Sequence, residues 1–149
     1  MMEKKNIIQF IKFCLVGAVN TAVDWFIFYA LTSWVIYFSA HEVLAKAIAF
    51  MVAVINSFVW NSIWTFRQEF RAKLGQEEKK VVSGGIMFSQ FLIVSLIGLG
   101  INTAIFYLVR QWTDQAMVAR YSKLVSLIFA SGGAIIWNFL ANKLWTYKK

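Results

Sequence analysis

The sequence predicts an all-α membrane protein, with four transmembrane helices arranged as two helical hairpins that repeat in parallel. Three observations support this fold class: an apolar composition, four long stretches with almost no charge, and an internal repeat. Of the 149 residues, 60% are hydrophobic and only 15% are charged. A soluble domain is nearer half apolar and a quarter charged, and a chain this short could not bury so much apolar surface. The composition therefore argues against a soluble enzyme.

Four stretches are long enough to cross a bilayer, since a helix needs about 20 apolar residues to span about 30 Å of hydrocarbon. We expect spans at about residues 10–35, 44–65, 86–110 and 122–145. Each would satisfy its own backbone hydrogen bonds, as the lipid interior requires. The first stretch is longer than the roughly 7–15 residues of a signal-peptide core, so we expect it to remain as a span.

The positive charges concentrate on one side of this topology. The N-terminus, the central loop at residues 67–85 and the C-terminus share a side, which carries Lys4, Lys5, Lys12, Arg67, Arg71, Lys73, Lys79, Lys80, Lys143, Lys148 and Lys149. The other side carries Lys46, Arg110, Arg120 and Lys123. The positive-inside rule then places both termini in the cytoplasm and the protein in the cytoplasmic (inner) membrane. It also explains the net charge of +8 without nucleic acid, which we do not expect as a partner.

Two segments of the first half recur in the second. Phe10-Ile-Lys-Phe13 matches Phe88-Ser-Gln-Phe91, and in that register Asp24 corresponds to Asn102. The end of the second span, Asn61-Ser-Ile-Trp-Thr-Phe-Arg67, matches the end of the fourth, Asn142-Lys-Leu-Trp-Thr-Tyr-Lys148. A repeat of two spans preserves its direction across the membrane, so the halves are expected to be parallel repeats.

The motifs themselves resemble the GtrA-like family. The first span contains Phe13-x-x-Val16-Gly17-x-x-Asn20-Thr21-x-x-Asp24. The second ends in Asn56-Ser57-Phe58-x-x-Asn61-x-x-Trp64-Thr65-Phe66, and the fourth in Asn138-Phe139-x-x-Asn142-x-x-Trp145-Thr146-Tyr147. The resemblance covers about residues 8–148, so residues 1–149 are expected to form a single GtrA-like membrane domain.

This resemblance implies the translocation (flipping) of a polyprenyl-phosphate-linked monosaccharide, such as an undecaprenyl-phosphate sugar. Such a lipid would cross the cytoplasmic membrane to glycosylate a cell-surface polysaccharide, for example O-antigen or the cell wall. The implied partners are the sugar lipid and the membrane glycosyltransferases of the same pathway. We also expect a homo-oligomer, because four helices enclose little volume for a bulky sugar headgroup.

Asp24 is the only acidic residue inside a predicted span, and Asn20 lies one helical turn before it on the same face. A charge at the bilayer centre costs about 2.5–3.5 kcal/mol, so such residues usually face the protein interior and mark a function. We expect Asn20 and Asp24 to bind sugar hydroxyls or a proton. The alternative is an interhelical hydrogen bond, worth about 0.6–2 kcal/mol, that needs no ligand.

The remaining candidate substrate-binding residues are amides and cations. Amides both donate and accept, which suits sugar hydroxyls and phosphate oxygens, although they also join helices. The amides are Asn56, Asn61, Asn102, Asn138 and Asn142. Arg67 and Lys143 end spans on the cytoplasmic side, where they fit the helix dipole and would also meet a lipid phosphate. Lys46 and Lys123 open spans on the far side, and we expect phosphate contacts there, with snorkelling to the interface as the alternative.

The sequence contains no recognisable catalytic set, and we expect no enzymatic activity. Its one Cys and one His cannot form a usual zinc site, so neither a metal nor a cofactor is expected. Two other functions fit a four-span protein. One is a membrane anchor or accessory subunit of a polyprenyl-phosphate glycosyltransferase. The other is a small multidrug exporter, which the charge bias and the hairpin repeat argue against.

Overall fold

The computed structural model describes residues 4–75, 80–115 and 122–148, and all of the longer elements within these ranges are helices. In chain order they are α1 (Lys4–Trp34), α2 (Ile36–Ser39), α3 (Glu42–Trp60), α4 (Arg67–Gly75), α5 (Lys80–Gln115) and α6 (Ser122–Ala141). Four stretches among the described residues are long and apolar enough to cross a membrane: Lys4–Trp34, Leu44–Thr65, Ser83–Thr113 and Val125–Thr146. The predicted all-α membrane protein with four spans is confirmed.

The expected cytoplasmic loop at residues 67–85 is mostly helical in its described parts. Helix α4 occupies Arg67–Gly75, and α5 already begins at Lys80. Helix α4 has Glu69 in its first turn and Lys73 in its last, which suits the helix dipole. Its Phe70 ring packs edge-on against Phe58 of α3, with the ring centroids 6.4 Å apart. These local features favour a helix in this segment.

The chain divides into two compact units, Met1–Ala72 and Lys73–Lys149, which we call unit 1 and unit 2. In unit 1, α1 packs against α3, and in unit 2, α5 packs against α6. Each unit is therefore a helical hairpin, as the repeat predicted.

Corresponding positions are buried in the two hairpins. Helix α1 buries Gln9, Phe13 and Val16, while α5 buries Met87, Phe91 and Val94. The second helix of each unit offers small residues at intervals of one turn, namely Ala45, Ala49 and Ala53 in α3, and Ser126 and Ala130 in α6. Small residues at helix interfaces allow the backbones to approach closely in a membrane.

Both hairpins end in the same irregular turn. After α3 and after α6 the helix widens into one π-helical turn, over Asn61–Thr65 and Asn142–Thr146. The Phe66 N–H donates to the Asn61 carbonyl at 2.7 Å, and the Tyr147 N–H donates to the Asn142 carbonyl at 2.8 Å. Both aromatic rings are fully buried. The recurring Asn-x-x-Trp-Thr-aromatic motif thus forms the same widened turn twice.

Unit 2 contains one unusually close helix approach. A Cβ atom added to Gly98 of α5 would lie 2.4 Å from Nδ2 of Asn138 on α6. One turn away, the Trp137 indole N–H donates to the Val94 carbonyl at 3.2 Å. The glycine lets a polar side chain of α6 lie directly on the backbone of α5.

Candidate functional site

Four of the predicted site residues come together in unit 1, where they form two interhelical contacts between α1 and α3. The Lys46 ammonium donates to Oδ2 of Asp24 and forms an ion pair with it. The Asn56 amide donates to Oδ1 of Asn20 at 3.4 Å. We call Asn20, Asp24, Lys46 and Asn56 the polar strip. It lies within the apolar spans Lys4–Trp34 and Leu44–Thr65.

The ion pair is unequally exposed and incompletely bonded. The side chain of Asp24 is 18% exposed, whereas that of Lys46 is 52% exposed. Oδ1 of Asp24 is buried and has no hydrogen-bond partner among the described residues. Leaving a buried acceptor unbonded costs about 1–3 kcal/mol, so an unsatisfied carboxylate oxygen indicates a place where a donor can bind.

Unit 2 lacks the counterpart of this ion pair. Asn102, half-buried on α5, stands where unit 1 has Asp24. The matching π-helical turns and buried alanines put Lys46 level with Leu127, which is exposed. Lys123 precedes Leu127 by four residues, so it lies one helical turn away from the position that corresponds to Lys46. The side chain of Lys123 itself lies outside the described residues.

The amides at the π-helical turns bond mainly to their own helix. Asn142 is fully buried; its Nδ2 donates to the Asn138 carbonyl at 2.8 Å and its Oδ1 accepts from the Thr146 hydroxyl at 2.9 Å. Asn61 donates to the Ser57 carbonyl at 2.9 Å, and Asn138 donates to the Ala134 carbonyl at 2.9 Å. Both ends of the Asn142 amide thus hold the turn together, and substrate binding by Asn142 stays a prediction.

The two cations at the span ends have different surroundings. The Lys143 ammonium lies 5.5 Å from the ring centroid of Phe139, a cation–π contact at the end of unit 2. Arg67 is exposed and opens helix α4.

Arg67 also lines an open pocket of about 450 Å³ at the end of unit 1 where α1 begins and α4 follows the π-helical turn. We call it the Arg67 pocket. Its lining residues are Lys5, Ile8, Gln9, Lys12, Trp64, Thr65, Arg67, Gln68 and Glu69. The Lys12 ammonium lies 5.2 Å from the centroid of the Trp64 ring. Sequence reasoning found only Arg67 as a site residue here, because the positive-inside rule already explained Lys5 and Lys12.

A small hydrogen-bond network holds Glu69 at the pocket wall. The Lys5 ammonium lies 2.8 Å from Oε1 of Glu69, and the Gln9 amide donates to the same oxygen at 3.1 Å. Burial by itself raises the pKa of Glu69, but the hydrogen bonds from Lys5, the backbone and Gln9 outweigh it, so the pKa lies below the ordinary 4.5. The carboxylate is therefore ionised at neutral pH.

The lowered pKa predicts a pH-dependent stability contribution from Glu69. A carboxylate with a lowered folded-state pKa stabilises the fold above its ordinary value of 4.5, and this contribution disappears as the pH falls through the folded-state pKa. We expect Glu69→Gln to melt slightly below the wild type at pH 7, by an amount that shrinks below pH 4.5. Melting of the detergent-purified protein from pH 7 to pH 3 measures this. A difference that stays constant over this range would contradict the assigned network, and Lys5→Gln provides a second check from the other partner.

An apolar groove of about 290 Å³ adjoins the pocket. Leu15, Val16, Val19, Trp60 and Trp64 line it, and we call it the Trp60 groove. Trp64 belongs to both the groove and the Arg67 pocket. The two cavities therefore meet at one indole ring, with cations on one side and apolar side chains on the other.

Comparison with known proteins identifies relatives of the chain but little about their activity. The sequence profile of the GtrA/DPMS transmembrane domain matches residues 12–147. An uncharacterized membrane protein, YngA of Bacillus subtilis (strain 168), is 28% identical over 136 residues, which cover 91% of this chain and 77% of that protein. No solved structure shows a significant match.

Proposed function

The chain belongs to the GtrA/DPMS transmembrane-domain family, and from this premise we propose that it translocates a polyprenyl-phosphate-linked monosaccharide across the cytoplasmic membrane. The family implies a flippase-type role for such lipids. In the proposed reaction the intact lipid changes leaflet, so no covalent bond forms or breaks. The sugar would then be used for cell-surface polysaccharide glycosylation by membrane glycosyltransferases of the same pathway.

The observation that carries the proposal is the polar strip of unit 1. A sugar headgroup must exchange its hydrogen bonds with water for bonds with protein when it enters the hydrocarbon region, because unsatisfied polar groups are costly there. The strip offers a carboxylate with one unbonded oxygen, two amides and an ammonium group within the apolar spans. These groups can accept from sugar hydroxyls and donate to sugar and phosphate oxygens.

The arrangement along α1 suggests an order for the steps. Lys12, Val16, Asn20 and Asp24 follow one another at intervals of four residues, so they lie one turn apart along a winding row. This row begins at the Arg67 pocket, passes the Trp60 groove and ends at the ion pair. In the proposed path the headgroup moves along this row while its lipid tail stays in the bilayer.

A membrane anchor that only recruits a glycosyltransferase would use the same lipid recognition without transport. The small multidrug exporter is less favoured, because the intramembrane carboxylate that would bind a cationic drug already has Lys46 as its counter-ion. A drug cation would have to displace this ammonium group.

Transport in proteoliposomes tests the proposal. The purified full chain is reconstituted with a fluorescent polyprenyl-phosphate hexose, and a membrane-impermeant quencher reports the accessible leaflet. We expect all of the probe to become accessible in vesicles that contain protein, and only the outer-leaflet half in vesicles without it. Binding of the probe without exchange would instead support the anchor.

The charge bias predicts that both termini are cytoplasmic. Reporter fusions after Lys149 should be active in the cytoplasm, and fusions near Asp114 should be active on the opposite side. A C-terminus on the outer side would contradict the four-span topology with internal termini, and it would place the Arg67 pocket away from the cytoplasmic supply of sugar lipid.

A further inference from the structure

We propose that the Arg67 pocket and the Trp60 groove form one binding site for a sugar-bearing isoprenoid phosphate, an inference that rests on the proposed function. Lys12 and Arg67 bind the phosphate, Gln9 and Glu69 accept from the sugar hydroxyls, and the groove holds the first isoprene units.

Unbonded oxygens in the pocket wall are the first evidence. Oε1 of Gln9, Oγ1 of Thr65 and Oε2 of Glu69 are buried and have no hydrogen-bond partner within residues 4–75, 80–115 and 122–148. Gln9 is only 5% exposed and Thr65 only 4%. Two of the three oxygens, those of Gln9 and Glu69, are acceptors that require a donor. A bare phosphate diester has no donor to offer, whereas a sugar hydroxyl has.

Unit 2 provides an internal comparison for the Thr65 hydroxyl. Asn142 and Thr146 hold the same positions in the second π-helical turn as Asn61 and Thr65 in the first. In unit 2 the Thr146 hydroxyl donates to Oδ1 of Asn142 at 2.9 Å. In unit 1 the corresponding oxygens, Oδ1 of Asn61 and Oγ1 of Thr65, both lack a partner in the part of the chain that the structure describes. The Asn and Thr side chains of this turn thus bond to each other in unit 2, whereas in unit 1 they can still bond to a ligand in the adjacent pocket.

The lining residues of the pocket also differ from their unit 2 counterparts. In the register of the repeat, Gln9 corresponds to Met87 and Lys12 corresponds to Gln90. Met87 is fully buried. Unit 2 therefore shows that this end of a hairpin folds with an apolar residue at the position of Gln9 and a neutral residue at the position of Lys12. The polar Gln9 and the cationic Lys12 of unit 1 are therefore not required for the fold.

The charges within the pocket are separated in a way that orients the ligand. Lys5 is paired with Glu69, whereas Lys12 and Arg67 form no ion pair with any carboxylate in residues 4–75, 80–115 and 122–148. Arginine offers a planar fork to phosphate oxygens, and lysine adds a point charge. Because the Glu69 carboxylate repels phosphate, the anionic group takes the side of Lys12 and Arg67, and the sugar takes the side of Glu69.

Trp64 lines both the pocket and the groove, and this shared residue assigns the lipid tail to the groove. Five apolar side chains line this groove, and it lies within the spans, beside a pocket with available cations. A ligand that fills both cavities has an anionic head joined directly to an apolar chain. An isoprenoid phosphate has this structure, with its phosphate linked directly to the first isoprene unit.

Ligand binding by variants of the full chain tests this site. Native mass spectrometry of the detergent-purified protein would compare a polyprenyl-phosphate hexose, the same polyprenyl phosphate without sugar, and phosphatidylglycerol. The variants are Lys12→Gln combined with Arg67→Gln, Gln9→Met, and Val19→Trp, which fills the groove from an exposed position. Lys148→Gln is the matched control, because Lys148 is the counterpart of Arg67 in unit 2.

The expected pattern separates the three parts of the ligand. The double variant should weaken both isoprenoid phosphates by about tenfold or more, because it removes two charge-assisted contacts to the phosphate. Gln9→Met should weaken only the sugar-bearing lipid, by about threefold to tenfold for one lost hydrogen bond. Val19→Trp should weaken both isoprenoid lipids, and Lys148→Gln should weaken neither. Melting temperatures confirm that each variant is folded.

Two further outcomes separate this inference from the proposed function. If the wild type binds and transports the sugar lipid but the three pocket and groove variants bind normally, the site lies elsewhere and only this inference is overturned. If the variants weaken binding but wild-type vesicles show no exchange, the binding site is supported and the proposed transport function is contradicted. Phosphatidylglycerol binding that equals that of the isoprenoid phosphates, with the same losses in the variants, would overturn the proposed occupant.

Discussion

The Asp24→Asn variant is expected to insert and fold normally and to lose most sugar-lipid translocation, by about tenfold or more. Asparagine preserves the shape of the side chain but removes the charge that pairs with Lys46. It also replaces one of the two acceptor oxygens by a donor, so a headgroup hydroxyl loses a carboxylate acceptor. Lys46 is 52% exposed, so its ammonium group can turn to the membrane interface when its partner is lost.

The measurement is glycosylation of the surface polymer in cells complemented with the variant, together with the membrane abundance of the protein. Removing one partner of an ion pair can disturb folding by leaving the other charge uncompensated, so the double variant Asp24→Asn with Lys46→Gln is the second arm. Thr21→Val serves as a control on the same helix, because the Thr21 hydroxyl donates to the Gly17 carbonyl of its own helix.

The double variant distinguishes a functional ion pair from a purely structural one. If the pair only holds α1 and α3 together, two neutral partners restore both abundance and glycosylation. We expect the double variant to reach normal abundance and to remain defective in glycosylation. Full glycosylation by either variant at normal abundance would contradict a role for the Asp24 carboxylate in transport.

The second large effect is expected from Gly98→Ala, which should destabilise unit 2 by about 1–3 kcal/mol, the usual cost of overpacking a close contact. The new Cβ would lie 2.4 Å from Nδ2 and 2.8 Å from Oδ1 of Asn138. This amide cannot move away freely, because it donates to the Ala134 carbonyl at 2.9 Å. Either the hydrogen bond breaks or α5 and α6 separate.

Gly100→Ala is the matched control, since a Cβ at Gly100 has nothing within 4 Å. Alanine is favoured over glycine by about 0.8–1.0 kcal/mol in a helix interior, so Gly100→Ala should be neutral or stabilising. Thermal unfolding of both variants in the same detergent measures the difference. Equal melting temperatures for the two variants would show that the helices do not approach closely at Gly98.

The two hairpins share a fold but differ in chemistry. Unit 1 carries the Asp24–Lys46 ion pair and the Arg67 pocket, whereas unit 2 has Asn102 and Leu127 at the positions of the ion pair. Residues that pack between the two helices of a hairpin, such as Phe13 and Phe91, are therefore shared by the two units, whereas the polar residues differ. Because of this difference, we expect the substitutions that impair transport to lie in unit 1.

The membrane class, the four spans and the repeat follow from the amino-acid sequence alone, because each depends on local composition or on spacing within one helix. Charge-free length predicts a span, and the recurring Asn-x-x-Trp-Thr-aromatic motif predicted equivalent ends at Asn61 and Asn142. The sequence also singles out Asp24 as an unusual residue, because an acid in a long apolar stretch stands out without knowledge of its neighbours.

The packing of the helices, in contrast, sets which polar residues are partners. Lys46 is 22 residues from Asp24 along the chain, and its role as the counter-ion follows from the packing of α3 on α1. The same packing joins Lys12, Trp64 and Arg67 into one pocket and leaves the Thr65 hydroxyl unbonded. Hydrogen bonds and ion pairs between helices act over only about 3–4 Å. Sequence periodicity indicates which face of a helix a residue occupies, but it does not indicate which residues of another helix contact that face.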